Sequence, residues 1–183
     1  MKVKADFKWV IRIIAVSIAL SMAFSLVSEA ALGEAGYVLA FIVLAVFIFI
    51  GVVFDIIGVA VTSAQEAPFH SMASHREKGA AESIKLLRNA EKVSSICNDV
   101  VGDICGIMSG ATAAVIVGNI AKGLGWGSTL FQIIISGVVA GLTIGGKAIG
   151  KTVAMNNNVE IVLFVGRFIE SFGRLFRRKK GRK

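Results

Sequence analysis

Between Tyr37 and Ser63 the chain is apolar without interruption except for one ionisable side chain, Asp55. Wound as a helix, this run is about 40 Å long, enough to cross a bilayer with some tilt. Three further runs are apolar enough to do the same: Trp9 to Ser28, Val100 to Ile120, and Thr129 to about Lys147. With 55% hydrophobic and only 17% charged residues, and a single proline, the composition is that of an integral membrane protein. The expected fold is all-α and polytopic, with four transmembrane helices.

The first run follows a basic start (Lys2, Lys4, Lys8) and contains Arg12 close enough to its end to snorkel. It is longer than the apolar core of a signal peptide, and further spans follow, so an uncleaved span is expected. Between spans two and three, residues 64–96 turn polar, with Pro68 and then a piece in which Ala81, Ile84, Leu87, Val93 and Ile96 approximate one face and Lys85, Arg88 and Lys92 the other. This pattern suits one or two helices lying on the membrane surface. After Asn156, Asn157 and Asn158 a second amphipathic helix is expected, its stripe formed by Ile161, Val165, Phe168, Phe172 and Leu175. Three regions follow: a basic arm, first span and loop over 1–36, a transmembrane core over 37–155 with the juxtamembrane segment 64–96, and an amphipathic basic helix and tail over 156–183.

The formal net charge is +8, and it is concentrated. The last ten residues hold seven basic side chains, among them Arg174, Arg177, Arg178, Lys179 and Lys180, and no acid. A basic helix with an aromatic face fits anionic lipid headgroups; calmodulin-type targets and RNA-binding tails share the composition, but no nucleic-acid partner is expected. The N-terminal arm, the middle segment and the tail carry the bases, whereas the loops Glu29 to Gly36 and Lys122 to Ser128 together hold one. Four spans with both termini cytoplasmic, in the plasma membrane, satisfy that distribution.

Within the spans, glycines recur at four-residue spacing: Gly102, Gly106 and Gly110 on the third, Gly137, Gly141 and Gly145 on the fourth. Such rows let helix backbones approach closely, and two matching rows joined by a short turn predict an antiparallel pair. Ionisable residues stand within or at the edge of the spans: Asp55 on the second, Asp99 and Asp103 on the third, Lys147 and Lys151 on the fourth. Carboxylates are costly in lipid unless water, a cation or a fixed base answers them. Two alternatives stay open: an ion-pair cluster that locks the helices together, or an ion path or cation pocket with Ser63, Thr62, Asn98 and Thr143 as additional oxygen ligands. Cys97 and Cys105 lie eight residues apart on one helix, about 12 Å by rise, and cannot bridge each other. His70 and His75, five apart, are expected at the surface. No phosphate-binding loop, zinc-ligand spacing, nucleophile motif or dinucleotide fingerprint is present, so no enzyme is expected.

Three stretches resemble the transmembrane domain of the CNNM/CorC/CorB family of magnesium and divalent-cation transporters. F-D-I-I-G-V-A-V-T-S at Phe54 to Ser63 is similar to the family's F-S-G-S-E-T-A-L-T-S. L-L-R-N-A-E-K-V at Leu86 to Val93 and N-D-V-V-G-D-I at Asn98 to Ile104 are similar to L-L-E-N-P-E-R-F and G-N-x-x-V-N-I. G-K-A-I-G-K-T-V-A at Gly146 to Ala154 is similar to G-E-x-x-P-K-T-L-A. The resemblance covers Phe54 to Phe176 and leaves the first span as an addition.

The resemblance implies a membrane protein that moves or binds a cation such as Mg²⁺ or cobalt at an intramembrane polar cluster, and a homodimer. Carried over by position, the family's site serine becomes Asp55, its paired asparagines Asp99 and Asp103, and its glutamate Lys147. Asp55, Asp99 and Asp103 are therefore the candidate metal ligands, and Lys147 a tethered counter-ion standing where the cation would be. The glutamate of the first motif becomes Gly58 and the proline of the third Gly150. No CBS or CorC-type domain is expected. The alternatives are a non-transporting scaffold or regulatory subunit whose cation site Lys147 fills, and a proton-coupled carrier that uses the Asp–Lys cluster as a relay.

Overall fold

The computed structural model describes residues 7–33, 37–123 and 129–180, with side chains described only to 173 at the C-terminal end. The basic arm before Phe7, the glycine-rich reversal at Trp126, and the side chains of Arg174, Arg177, Arg178, Lys179 and Lys180 lie outside the described residues. Among the described residues the chain is helical and has no strand. The elements are α1 (Phe7–Gly33), α2 (Tyr37–Ser63), α3 (Ala67–Ser74), α4 (Ala80–Arg88), α5 (Ala90–Ser94), a π-helical segment (Ser95–Gly102), α6 (Asp103–Gly123), α7 (Thr129–Asn156) and α8 (Asn158–Lys180).

Four stretches are long and apolar enough to cross a membrane: Phe7–Glu29, Val38–Ser63, Ala90–Gly118 and Ile133–Asn156. The third begins earlier than Val100, because α5, the π-helical segment and α6 follow one another without a break. Asp99 and Asp103 consequently stand well inside the helical stretch rather than at its head.

Contacts divide the chain into two units, Met1–Val53 with Asn98–Lys147, and Phe54–Cys97 with Ala148–Lys183. In the first, α1 packs on α6. Phe47, Val100, Ile104 and Met108 form a buried cluster edged by Ile13, Leu20 and Phe24 of α1, and the Phe24 and Phe47 rings meet at 5.4 Å. Two hydroxyls fix this contact: Ser28 and Thr112 are both buried and hydrogen-bond at 2.9 Å. Inside a membrane a hydroxyl has no water to fall back on, so each satisfies the other across the helix pair. A second cluster, Ala40, Leu44, Ala113 and Ile116, joins α2 to α6.

In the second unit, α4 packs against α3 and α8 around Ala60, Val61, Phe69, Ala80, Leu87, Ala154, Val162 and Leu163. Pro68 sits in the first turn of α3, where its missing N–H costs nothing. Gly79 precedes α4 with φ of 84°, a left-handed backbone that favours glycine. Its N–H donates to Glu170 Oε2 of α8 at 2.6 Å, and a Cβ there would lie 2.5 Å from the Arg167 nitrogen. Opposite it, a Cβ on Gly166 would collide with Ser83 and Gly79. The Ser83 hydroxyl donates to the Val162 carbonyl at 3.0 Å, and Arg167 Nη2 pairs with Glu77 Oε1 at 2.7 Å.

This crossing sets which face of each helix turns inward. The inward face of α4 is Ala80, Ser83 and Leu87, with Ile84 at its edge, whereas Ala81 and Ile96 are exposed. Small residues at 80 and 83 win because α8 comes too close for anything larger. On α8, Val162, Leu163 and Gly166 are buried, while Phe168 and Phe172 of the expected stripe are exposed.

Candidate functional site

The segment Ser95–Gly102, S-I-C-N-D-V-V-G, is wound as a π-helix between two α-helical pieces of the third span. Such a winding is rare and has poorer hydrogen bonding than an α-helix, and it is frequent at functional sites. Its inner face carries Cys97 and Val100, both buried, and Cys97 and Cys105 are free thiols, as their spacing requires. Asn98 is half-buried with its Oδ1 enclosed, while Asp99 and Asp103, the first residue of α6, are exposed on the chain's surface.

The α6 segment is placed by Gly51, a lone glycine on α2. An added Cβ at Gly51 would stand 3.1 Å from the Cys105 Cβ and 3.6 Å from the Gly102 carbonyl oxygen. On the next residue of α2, the Val52 side chain lies 3.3 Å from where a Cβ of Gly146 would be. Residues 51 and 52 of α2 are thus approached by α6 just before Asp103 and by α7 just before Lys147. Both charged positions are set at one level of α2. Lys147 is half-buried, whereas Lys151 is exposed.

Asp55 and Ser63 belong to the other unit. Asp55 is half-buried on α2, four residues after Gly51, and Ser63 ends that helix. The Ser63 hydroxyl donates to the Ala60 carbonyl at 3.3 Å, and its own carbonyl accepts from Asn158 Nδ2 at 3.4 Å. Thr62 and Thr143 donate to carbonyls of their own helices. All three hydroxyls expected as cation ligands, those of Thr62, Ser63 and Thr143, are therefore turned back onto the backbone, a common fate of Ser and Thr in helices.

Among the described residues no three histidine, cysteine, aspartate or glutamate side chains are grouped as metal ligands. A Cβ at Gly106, Gly110, Gly137, Gly141 or Gly145 would meet nothing within 4 Å. Instead of interlocking, the small residues of α6 (Gly106, Ser109, Gly110) and α7 (Ser136, Ala140, Thr143) line a groove of about 220 Å³. The close approaches fall at Gly51 and Gly146, and at Gly79 and Gly166.

Among the described residues, an all-helical chain with four stretches of bilayer length and a polar π-helical break in the third defines the class as a polytopic membrane protein. The family model of the cyclin M transmembrane N-terminal domain (CNNM) matches residues 42–177. The match covers well over half of the chain, so the protein belongs to the CNNM family, a membrane-protein family related to divalent-cation transport. It begins inside α2 and leaves α1 outside, in line with the resemblance of the three sequence anchors. No curated protein and no solved structure is similar enough to the chain to register as a match.

Proposed function

We propose that the protein handles a divalent cation, Mg²⁺ or Co²⁺ by its family, at the polar stretch Asn98 to Asp103 of the third span. The observation that carries this is the π-helical winding of that stretch, which sets Asn98 and Asp99 inside a helix otherwise built to cross lipid. Asp99 and Asp103 offer the oxygen charge that a hard divalent ion requires as substrate. Lys147 supplies a tethered positive charge at the same level of α2, where the family anchor has an acid. An ammonium competes with a metal ion for carboxylates, so wild-type affinity for Mg²⁺ is low and Lys147→Glu raises it. Isothermal titration in detergent tests this: tight binding by wild type with no gain in Lys147→Glu overturns the proposal.

Transport is read in liposomes loaded with a magnesium or cobalt indicator beside a pH dye. Metal flux supports the transporter. Proton movement without metal flux supports a proton-coupled carrier instead, and silence with co-purification of another membrane protein supports a scaffold whose site Lys147 fills.

We also place the protein in the plasma membrane as a homodimer with both termini cytoplasmic. The Asn158–Ser63 hydrogen bond supports the sidedness, since it ties the end of α2 to the end of α7 at one membrane surface. The exposed carboxylate of Asp103 at the start of α6 supports the dimer, because a lipid-facing charge is costly and a second copy or water would cover it.

A further inference from the structure

The face of α8 turned away from α4 carries Phe164, Phe168 and Phe172 at four-residue spacing, 71%, 64% and 56% exposed. Phe168 and Phe172 stack with ring centres 6.3 Å apart and planes within 13°. The opposite face is already occupied, since Val162, Leu163 and Gly166 are buried in the unit that α4 and α3 complete. Three aligned phenylalanines on a charged helix are too apolar to be left in water and too exposed to serve the core.

Two observations say what covers them. The first is position. Only Asn157 separates α7 from α8, and Asn158 Nδ2 donates both to Met155, in the last turn of α7, at 3.1 Å and to Ser63, the last residue of α2, at 3.4 Å. The first turn of α8 is thereby tied to the ends of two bilayer-spanning stretches, and Phe164 follows six residues later, about 9 Å along the axis. The second is charge. From Arg174 onward the chain carries seven bases and no acid, so the aromatic stripe runs into a strongly cationic end.

We propose that α8 is a membrane-surface helix specific for an anionic leaflet: Phe164, Phe168 and Phe172 enter the boundary between headgroups and acyl chains, and the basic run beginning at Arg174 binds the lipid phosphates. Aromatic side chains favour that depth, and each base near a negatively charged surface adds attraction that salt screens. Since α8 also grips α4 through Gly79, Ser83 and Gly166, its attachment holds the juxtamembrane helices of its own unit against the bilayer. The inference stands apart from the cation reading and survives its failure.

The test uses the full chain with Cys97→Ala and Cys105→Ala, which keep the Cβ facing Gly51, and an environment-sensitive dye on Phe168→Cys. It is reconstituted in phosphatidylcholine vesicles with and without phosphatidylglycerol, each also prepared with lipids carrying a quencher at a known depth. The expected result is a blue-shifted dye, quenched by shallow lipid quenchers in the anionic vesicles only, with the quenching lost in about 1 M salt, where the screening length falls to about 3 Å. A Phe164→Cys label gives the same pattern, and replacing Arg177, Arg178, Lys179 and Lys180 by glutamine abolishes it. Equal quenching in zwitterionic vesicles overturns the proposal, as does a dye open to water in both. Protection that depends on protein concentration and not on lipid charge also overturns it, and assigns the stripe to a second copy.

Discussion

Gly51 and Gly137 are both glycines in apolar transmembrane helices, yet the structure gives them opposite roles. A methyl group at Gly51 must fit 3.1 Å from the Cys105 Cβ, so α6 or its side chain must give by a few tenths of an ångström. Gly51→Ala is therefore expected to destabilise the protein by about 1–3 kcal/mol, the usual cost of overpacking a closed contact. At Gly137 the same methyl meets nothing within 4 Å, and Gly137→Ala is expected to be neutral or to gain about 0.5–1 kcal/mol from the stiffer helix. Thermal unfolding of both variants in detergent decides the matter. A Gly137→Ala protein less stable than Gly51→Ala would show that the fourth-span row does the packing after all. Sequence spacing alone favours the row, because a repeated glycine looks more deliberate than a single one. What distinguishes the two is which helix stands opposite, and no local pattern encodes that.

At the scale of elements, the crossing of α4 and α8 depends on Gly79 and Gly166 having no side chains. Gly166→Ala drives a methyl into Ser83 and the Gly79 carbonyl, and Gly79→Ala adds a strained positive φ to a collision with Arg167. Both variants are expected to release α8 from α4, seen as protease cleavage between α7 and α8 at enzyme levels that leave wild type intact; intact chains would refute the close crossing. The pairing of α1 with α6 makes a milder prediction. Ser28→Ala and Thr112→Val each remove one side of a buried hydrogen bond, and a double-mutant cycle on unfolding in detergent should return a coupling of about 0.6 kcal/mol and no more than about 1.7. A coupling of zero would mean that the hydroxyls are satisfied within their own helices. The four spans and the two amphipathic helices were legible because apolar length and 3.6-residue periodicity are properties of a single segment. The π-helical winding of Ser95–Gly102 was not, since the same residues fit an α-helix equally well by their pattern. Nor was the inner face of α4, where the smallness of Ala80 and Ser83 mattered more than the hydrophobicity of Ala81 and Ile96. The positions Asn98, Asp99, Asp103 and Lys147 stood out in the sequence as charges and amides in apolar surroundings. Their arrangement did not, because it depends on Gly51 and Gly146.

At the scale of the whole molecule, the placement of charge along the chain and the exposure of two acids make one joint demand. Four crossings return the chain to the side it started from, and the basic arm, the middle segment and the basic tail all favour the cytoplasmic side. In that arrangement Asp103 stands 13 residues into the third bilayer-length stretch, about 20 Å from its start at Ala90, and is exposed on the isolated chain. A carboxylate at such a position cannot face acyl chains at equilibrium without a cost of about 2.5–3.5 kcal/mol or more. On the proposed reading Asp103, beyond any pairing with Lys147, is expected to face water that penetrates from one side or the surface of a second copy. Both alternatives are read from one variant, Asp103→Cys, in membranes after Cys97→Ala and Cys105→Ala. Reaction with a membrane-impermeant thiol reagent from the cytoplasmic side indicates a water-filled path reaching the candidate cation site. Oxidative crosslinking to a chain twice the mass indicates the homodimer. A cysteine that does neither, and is quenched only by lipid-borne probes, would place Asp103 in lipid and refute both the dimer and the polar path.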